Sequence, residues 1–136
     1  MAEAIAPQSS PLALLGDRFA IVLSGLCIAH CLTMPLLLSV IPWLSWMHEH
    51  EPLVHRLLLL VIVPLSASML LRGCAKHSRY FVLWLGAIAL ACLLSAVLLT
   101  GFSHTMEITL TALGSVGLIG SHLLNMRGLK ALRAGK

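Results

Sequence analysis

Charge is scarce in this chain. Of its 136 residues only 9 are Lys or Arg and 5 are Asp or Glu, against 59% hydrophobic residues and a mean hydropathy of +0.97. A water-soluble domain needs a polar skin, so this shortage excludes the soluble classes. Runs of about 20 apolar residues with few charges are instead what a hydrocarbon layer about 30 Å thick requires. Missing too are a Gly-rich loop that could cradle phosphate and a set of nucleophile, base and acid in a soluble cavity, so no enzyme is indicated. No basic segment precedes the first apolar run, which is also too long for the apolar part of a signal peptide, so a cleaved leader is not expected.

The remainder reads as an all-α integral membrane bundle of four transmembrane helices. With charges and turn residues as punctuation, the apolar runs fall at residues 19–44, 52–71, 80–100 and 105–126. Asp17-Arg18 flanks the first run on one side, with Trp43 and Trp46 as interfacial anchors on the other. Pro52, a favoured first helical residue, opens the second run, and Arg72-Gly73 closes it. Short loops make sequential helices antiparallel neighbours. The expected division is an inner stub over residues 1–17, one transmembrane domain over 18–126 and a basic tail over 127–136, too little outside the spans to bury a second core.

Orientation follows from the cations. Arg18, Arg72, Lys76, Arg79, Arg127, Lys130, Arg133 and Lys136 fall on one side and Arg56 alone on the other, which places both termini inside the cell's inner (plasma) membrane. The formal charge of +4 is then a topology signal with some attraction to anionic lipid, not a nucleic-acid footprint. The lipid bilayer is one expected partner; nucleic acid is not.

About midway along the first run lies Cys27-Ile28-Ala29-His30-Cys31. A polar or ionisable group at that depth costs on the order of 2 to 3 kcal/mol, so by default it marks a site. On a helix Cys27, His30, Cys31 and Met34 are spaced i, i+3, i+4, i+7, which gathers two thiols, an imidazole and a thioether on one stripe. Pro35 obstructs the carbonyl of Cys31, so a kink is expected one turn beyond. Thiolates select soft ions such as Cu(I) and Hg(II), or Zn(II) when imidazole joins. Two thiolates around a divalent ion form a neutral complex, the form of lowest cost in low dielectric, whereas the same pair around Cu(I) keeps a negative charge. The competing reading is that each cysteine is a small buried apolar residue and His30 an interhelical hydrogen-bonder. A Cys27–Cys31 disulfide is disfavoured, because a bridge between successive turns of one helix has awkward geometry.

Several accessory donors are candidates. His48 and His50 with His55 can collect an ion at the outer entrance, or be a solvated turn. Cys74 and His77 lie in a basic inner loop that favours thiolate, while Cys92 reads as an inert apolar thiol. In the fourth run His104, Thr111, Ser115, Leu118 and His122 share a face, and Gly114, Gly117 and Gly120 offer small packing surfaces, so this helix should be packed rather than lipid-exposed. The polar line is read either as a conduction path or as hydroxyls bonded to their own helix. Two other function classes stay open. One is a haem protein ligated by His30 and His122, although their depths differ by about 10 Å at 1.5 Å per residue. The other is a small assembly or sensor subunit that does not transport.

Asp17-Arg18-Phe19, Cys27 to Cys31 followed by Met34-Pro35-Leu36-Leu37-Leu38, His48-Glu49, His55-Arg56, Gly114-Ser115 and His122-Leu123-Leu124-Asn125 together resemble the MerC-domain membrane proteins, over nearly the whole chain. The resemblance implies a four-helix inner-membrane protein related to mercuric-ion uptake. It further implies that Cys27 and Cys31 take the ion and pass it inward by ligand exchange, to or from a metal donor or acceptor protein. No cofactor is required; Hg, Zn or Cu is the expected cargo.

Overall fold

A computed structural model describes residues 11–99 and 103–135, apart from the side chains at 35, 38, 44–52, 55 and 104. Four helices account for nearly all of it: α1 (Pro11–Val40), α2 (Ser45–His77), α3 (Tyr80–Leu98) and α4 (His104–Ala134). Each is long and apolar enough to cross a membrane.

Helix ends obey local chemistry more closely than the punctuation suggested. The described part of α1 begins at Pro11. The helix runs unbroken through Pro35 and stops at Val40, two residues before Pro42 starts a single 3-10 turn over Pro42–Leu44. The second helix begins at Ser45, not at Pro52, which it accommodates in its eighth position. Nor does Arg72-Gly73 end it: α2 continues to His77. Its stop is Ser78, whose φ of 54° lies in the left-handed region while its N–H still reaches the Cys74 carbonyl at 2.8 Å. Only Ser78 and Arg79 separate α2 from α3, so the two helices are antiparallel neighbours.

The bundle is inverted relative to a soluble protein. Phe19, Val22, Leu26, Phe81, Trp84 and Ile88 face outward, whereas Asp17, Ser24, Ser66, Thr111, Ser115, Ser121, His122 and Asn125 are all buried. That distribution suits a hydrocarbon solvent, in which polar groups must find partners inside the protein. Most of the packing runs through α4, which lies against both α1 and α3. Its approach to α3 is close because Gly114 has no side chain; a Cβ there would sit 2.9 Å from the Ala89 carbonyl oxygen. The expectation that α4 is packed by small residues holds at Gly114 and Gly117, while Gly120 has open space beside it.

Gly73 explains why α2 does not end where a glycine invited it to. Its bare backbone is the surface on which the Asn125 amide rests, and a Cβ would run into that group. Gly73→Ala is therefore expected to destabilise the folded chain by about 1–3 kcal/mol, the usual range for overpacking. Gly120→Ala, with open space, should be neutral or slightly stabilising. Thermal unfolding of the two variants in detergent checks the contrast.

Candidate metal site and a buried polar cluster

Residues 17, 20, 24, 27 and 31 alternate in steps of three and four, so they form one stripe on α1. All five are buried, which makes this stripe the inward face of the helix. Cys27 and Cys31 are thus directed into the bundle, at 2% and 5% exposure. Cys27 packs in an apolar core with Leu59 and Ile62 of α2 and Leu118 of α4. All four cysteines are free thiols. His30 and Met34 lie on the flanks of the stripe and are only half-buried. Among the described residues no group of three or more His, Cys, Asp and Glu side chains is assembled that could hold a metal ion. The soft centre offered by the interior is therefore the two thiols, with an imidazole beside them on the helix edge.

The accessory candidates are dispersed. Cys74 is buried near the C-terminal end of α2, and Cys92 on α3 is half-buried. His48, His50 and His55 fall within α2, but their side chains, like that of His104 on α4, lie outside the described residues. On α4 the expected polar face is real, since Thr111, Ser115, Leu118 and His122 are all buried.

Near the N-terminal end of α1 and the C-terminal half of α4 a cluster forms that sequence reasoning did not assemble. Asp17, read as the flank of the first span, lies inside α1 and is fully buried. Its carboxylate meets His122 Nδ1 at 2.7 Å, and both partners are at 0% exposure. Asn125, one turn further along α4, donates through Nδ2 to both carboxylate oxygens, at 2.9 and 3.1 Å, and to the Met69 carbonyl of α2 at 3.4 Å. Its Oδ1 accepts from His77 Nε2 at 2.8 Å. That leaves His77 Nδ1 as an acceptor, and it takes the Arg79 N–H at 3.1 Å across the α2–α3 turn. His122 Nε2 meets the Ser66 hydroxyl of α2 at 3.1 Å. Both ring nitrogens of His122 are therefore engaged by protein, and neither is open to a metal or a haem iron.

Three helices are tied at one level by this network, and every polar group in it has a partner. An uncompensated charge at that depth would be costly, whereas a satisfied network rigidifies the place where it sits. The available sequence signal was the step pattern itself, because it put Asp17 in line with Ser24, Cys27 and Cys31. Reading Asp17 as punctuation hid it. Ser66 and Asn125 carried no signal of their own; each matters only through a partner on another helix.

A family model described as MerC, the MerC mercury resistance protein, matches residues 17–127, from the buried carboxylate to one residue past Met126. The chain belongs to the MerC family. No curated protein matches it, and no solved structure does. Within this MerC chain, the matched segment holds both the thiol pair of α1 and the whole cluster around Asp17.

Breaking the buried pair from one side should cost more than removing it whole. Asp17→Ala leaves His122 and Asn125 facing a void and is expected to destabilise by about 3–5 kcal/mol. Combining Asp17→Leu with His122→Leu should lose less than the two single changes added together. A double-mutant cycle on thermal unfolding measures the coupling, and strict additivity would contradict the contact.

Proposed function

We propose that this chain carries mercuric ion inward across the inner membrane, with Cys27 and Cys31 as the pair that takes the ion. The observation that carries this reading is the burial of both thiols on one inward stripe of α1, in a chain of the mercury resistance family. Two thiolates satisfy a divalent soft cation and cancel its charge, so the ion can shed water inside the bundle without stranding charge in low dielectric. Zinc favours four ligands in a tetrahedral set, whereas no group of three or more such donors is assembled among the described residues, which favours mercuric ion. His30 on the flank can add a weak third contact for a borderline ion.

Ligand exchange moves such an ion. An incoming thiol attacks the bound metal before the outgoing one leaves, so no bare cation is formed. Cys74, buried at the inner end, is a candidate next donor, and an acceptor protein or small thiol in the cytosol is the final one. The surplus of Lys and Arg at the ends of the helices that carry residues 18, 72–79 and 127–136 supports both termini inside.

Replacing either Cys27 or Cys31 by Ser should abolish stoichiometric binding of mercuric ion and its uptake into reconstituted vesicles. His30→Ala should weaken zinc binding more than mercury binding. Titration of the purified protein, with uptake measured ion by ion using a metal-sensitive dye, decides this. Equal binding by the double serine variant would refute the site.

A further inference from the structure

At the end of the bundle to which Pro11, His77 and Ala134 belong, a cavity of about 450 Å³ lies between α1, α2 and α4. Pockets that hold small ligands run from about 300 to 1,000 Å³, so it is large enough for a molecule rather than a water. Leu12 and Ala13 of α1, Met69 of α2 and Leu129 of α4 make apolar walls, while Arg72 and Lys76 of α2 add two cations. Residues 69, 72, 73 and 76 are spaced i, i+3, i+4 and i+7, which puts the thioether, both cations and the bare Gly73 on one face of α2. Gly73 and Leu129 are buried at the back, and Leu12 and Arg72 are exposed at the mouth. The cavity is open to whatever surrounds the bundle.

The exposed charge described at this end has one sign. Arg18, Arg79, Arg127 and Lys130 are exposed here, as Arg72 is. Asp17 lies at this end too, but it is fully buried and already held by His122 and Asn125, so it offers the surface nothing. Glu107 sits in the first turn of α4, at the opposite end. Among the described residues none that lines the cavity is acidic. The cavity therefore fits an anion with an apolar body.

Depth selects the kind of anion. Gly86 of α3 packs against the Leu70 side chain of α2, and only two residues join these antiparallel helices. The pairing that sets residue 86 beside 70 also sets Trp84 level with Arg72 and Tyr80 level with Lys76. Both aromatic side chains are exposed on the outside of the bundle, at 69% and 67%. Exposed Trp and Tyr near the end of a membrane span mark the headgroup level, where an amphipathic ring meets both hydrocarbon and water. Arg72 and Lys76 therefore stand where lipid phosphates are, and Met69 is about one turn deeper, toward the acyl chains. A free phosphate would answer the cations and leave Leu12, Ala13 and Met69 wet, whereas a phospholipid covers both.

We propose that this cavity seats one anionic phospholipid, with its phosphate on Arg72 and Lys76 and its glycerol and first acyl carbons against Leu12, Ala13 and Met69. The Arg72 guanidinium can meet two phosphate oxygens at once, and Lys76 adds a compact charge one turn away. Met69 and Gly73 also meet the Asn125 amide, so the lipid and the buried cluster around Asp17 hold the same three helices from adjoining sides. Seated there, the lipid is a removable tie among α1, α2 and α4. The site is apart from the thiol pair and stands whether or not the chain carries mercuric ion.

The test uses the full chain in a non-ionic detergent, with phosphatidylglycerol or phosphatidylcholine added, read by native mass spectrometry and by thermal unfolding. The unaltered protein should retain one phosphatidylglycerol per chain, and its midpoint should climb with that lipid but not with phosphatidylcholine. Arg72→Gln combined with Lys76→Gln should bind phosphatidylglycerol about 30-fold more weakly, the combined effect of two cations at an anionic headgroup. Arg127→Gln combined with Lys130→Gln removes as much charge from the same end but none from the cavity, so binding should change by no more than about threefold. Ala13→Phe keeps every cation and fills the space, and it should lose the retained lipid. Equal weakening by the two cation pairs, or full retention in Ala13→Phe, overturns the proposal in favour of general attraction to the basic end. Inorganic phosphate that raises the midpoint as far as phosphatidylglycerol at equal concentration overturns it too. So does a cavity filled by residues 1–10 or by a second copy, seen as a cross-link from Lys76 to either with no lipid retained.

Discussion

An ionised carboxylate cannot be carried alone from water into hydrocarbon, and Asp17 is buried completely. Its three hydrogen bonds come from His122 and Asn125, so α4 must present both residues to α1 at one level. That fixes the register of the two helices and also the rotation of α1 about its own axis. Once Asp17 points inward, Ala20, Ser24, Cys27 and Cys31 must do so too, because they lie on the same stripe. The inward aim of the thiols is thus a consequence of the carboxylate below them. A chain without Asp17 would lose the term that prevents α1 from turning its polar stripe toward another neighbour.

Composition alone was enough for the class, since no other solvent suits four runs of such apolarity. The inward face of the thiols and the close packing of α4 were legible as well, because both rest on period and residue size within one helix. Helix ends were less so. Gly73 looked like a stop signal, yet the Asn125 amide occupies the space that its missing side chain leaves, and α2 runs on to His77. Pro52 looked like a start, yet α2 takes it in its third turn. Asp17 and Asn125 are separated by 108 residues, and nothing local marks them as partners. Tertiary pairing of single polar residues leaves no periodicity to read. The flanks of the metal stripe show the same limit: helical spacing put His30 and Met34 beside the cysteines, but neighbouring helices decide how deep each goes.

Holding an ion and letting it go place opposite demands on the same site. A full tetrahedral cage of fixed donors would hold a cation tightly and release it slowly. On the reading proposed above, a pair of thiols on successive turns would cancel the charge of a divalent ion and leave coordination positions open to attack, with Leu59, Ile62 and Leu118 packed in the same core as Cys27. Incoming thiols would then exchange without a high-energy bare ion. An apolar wall also excludes water, which strengthens each metal–sulfur contact while it lasts.

Donor chemistry divides the bundle along its axis. Cys27 and Cys31 are ten and fourteen residues beyond Asp17 along α1, about 15 and 21 Å at 1.5 Å per residue. Sulfur holds a soft cation far better than the oxygen and nitrogen of the polar cluster, so Asp17, His122 and Asn125 compete poorly for it. The two ends of the seam thus differ in the softness of their donors, and the cluster around Asp17 serves as a structural tie between helices. A cluster with a cysteine in place of Ser66 or Asn125 would lose that separation, because it would offer the metal a second resting place beside the carboxylate.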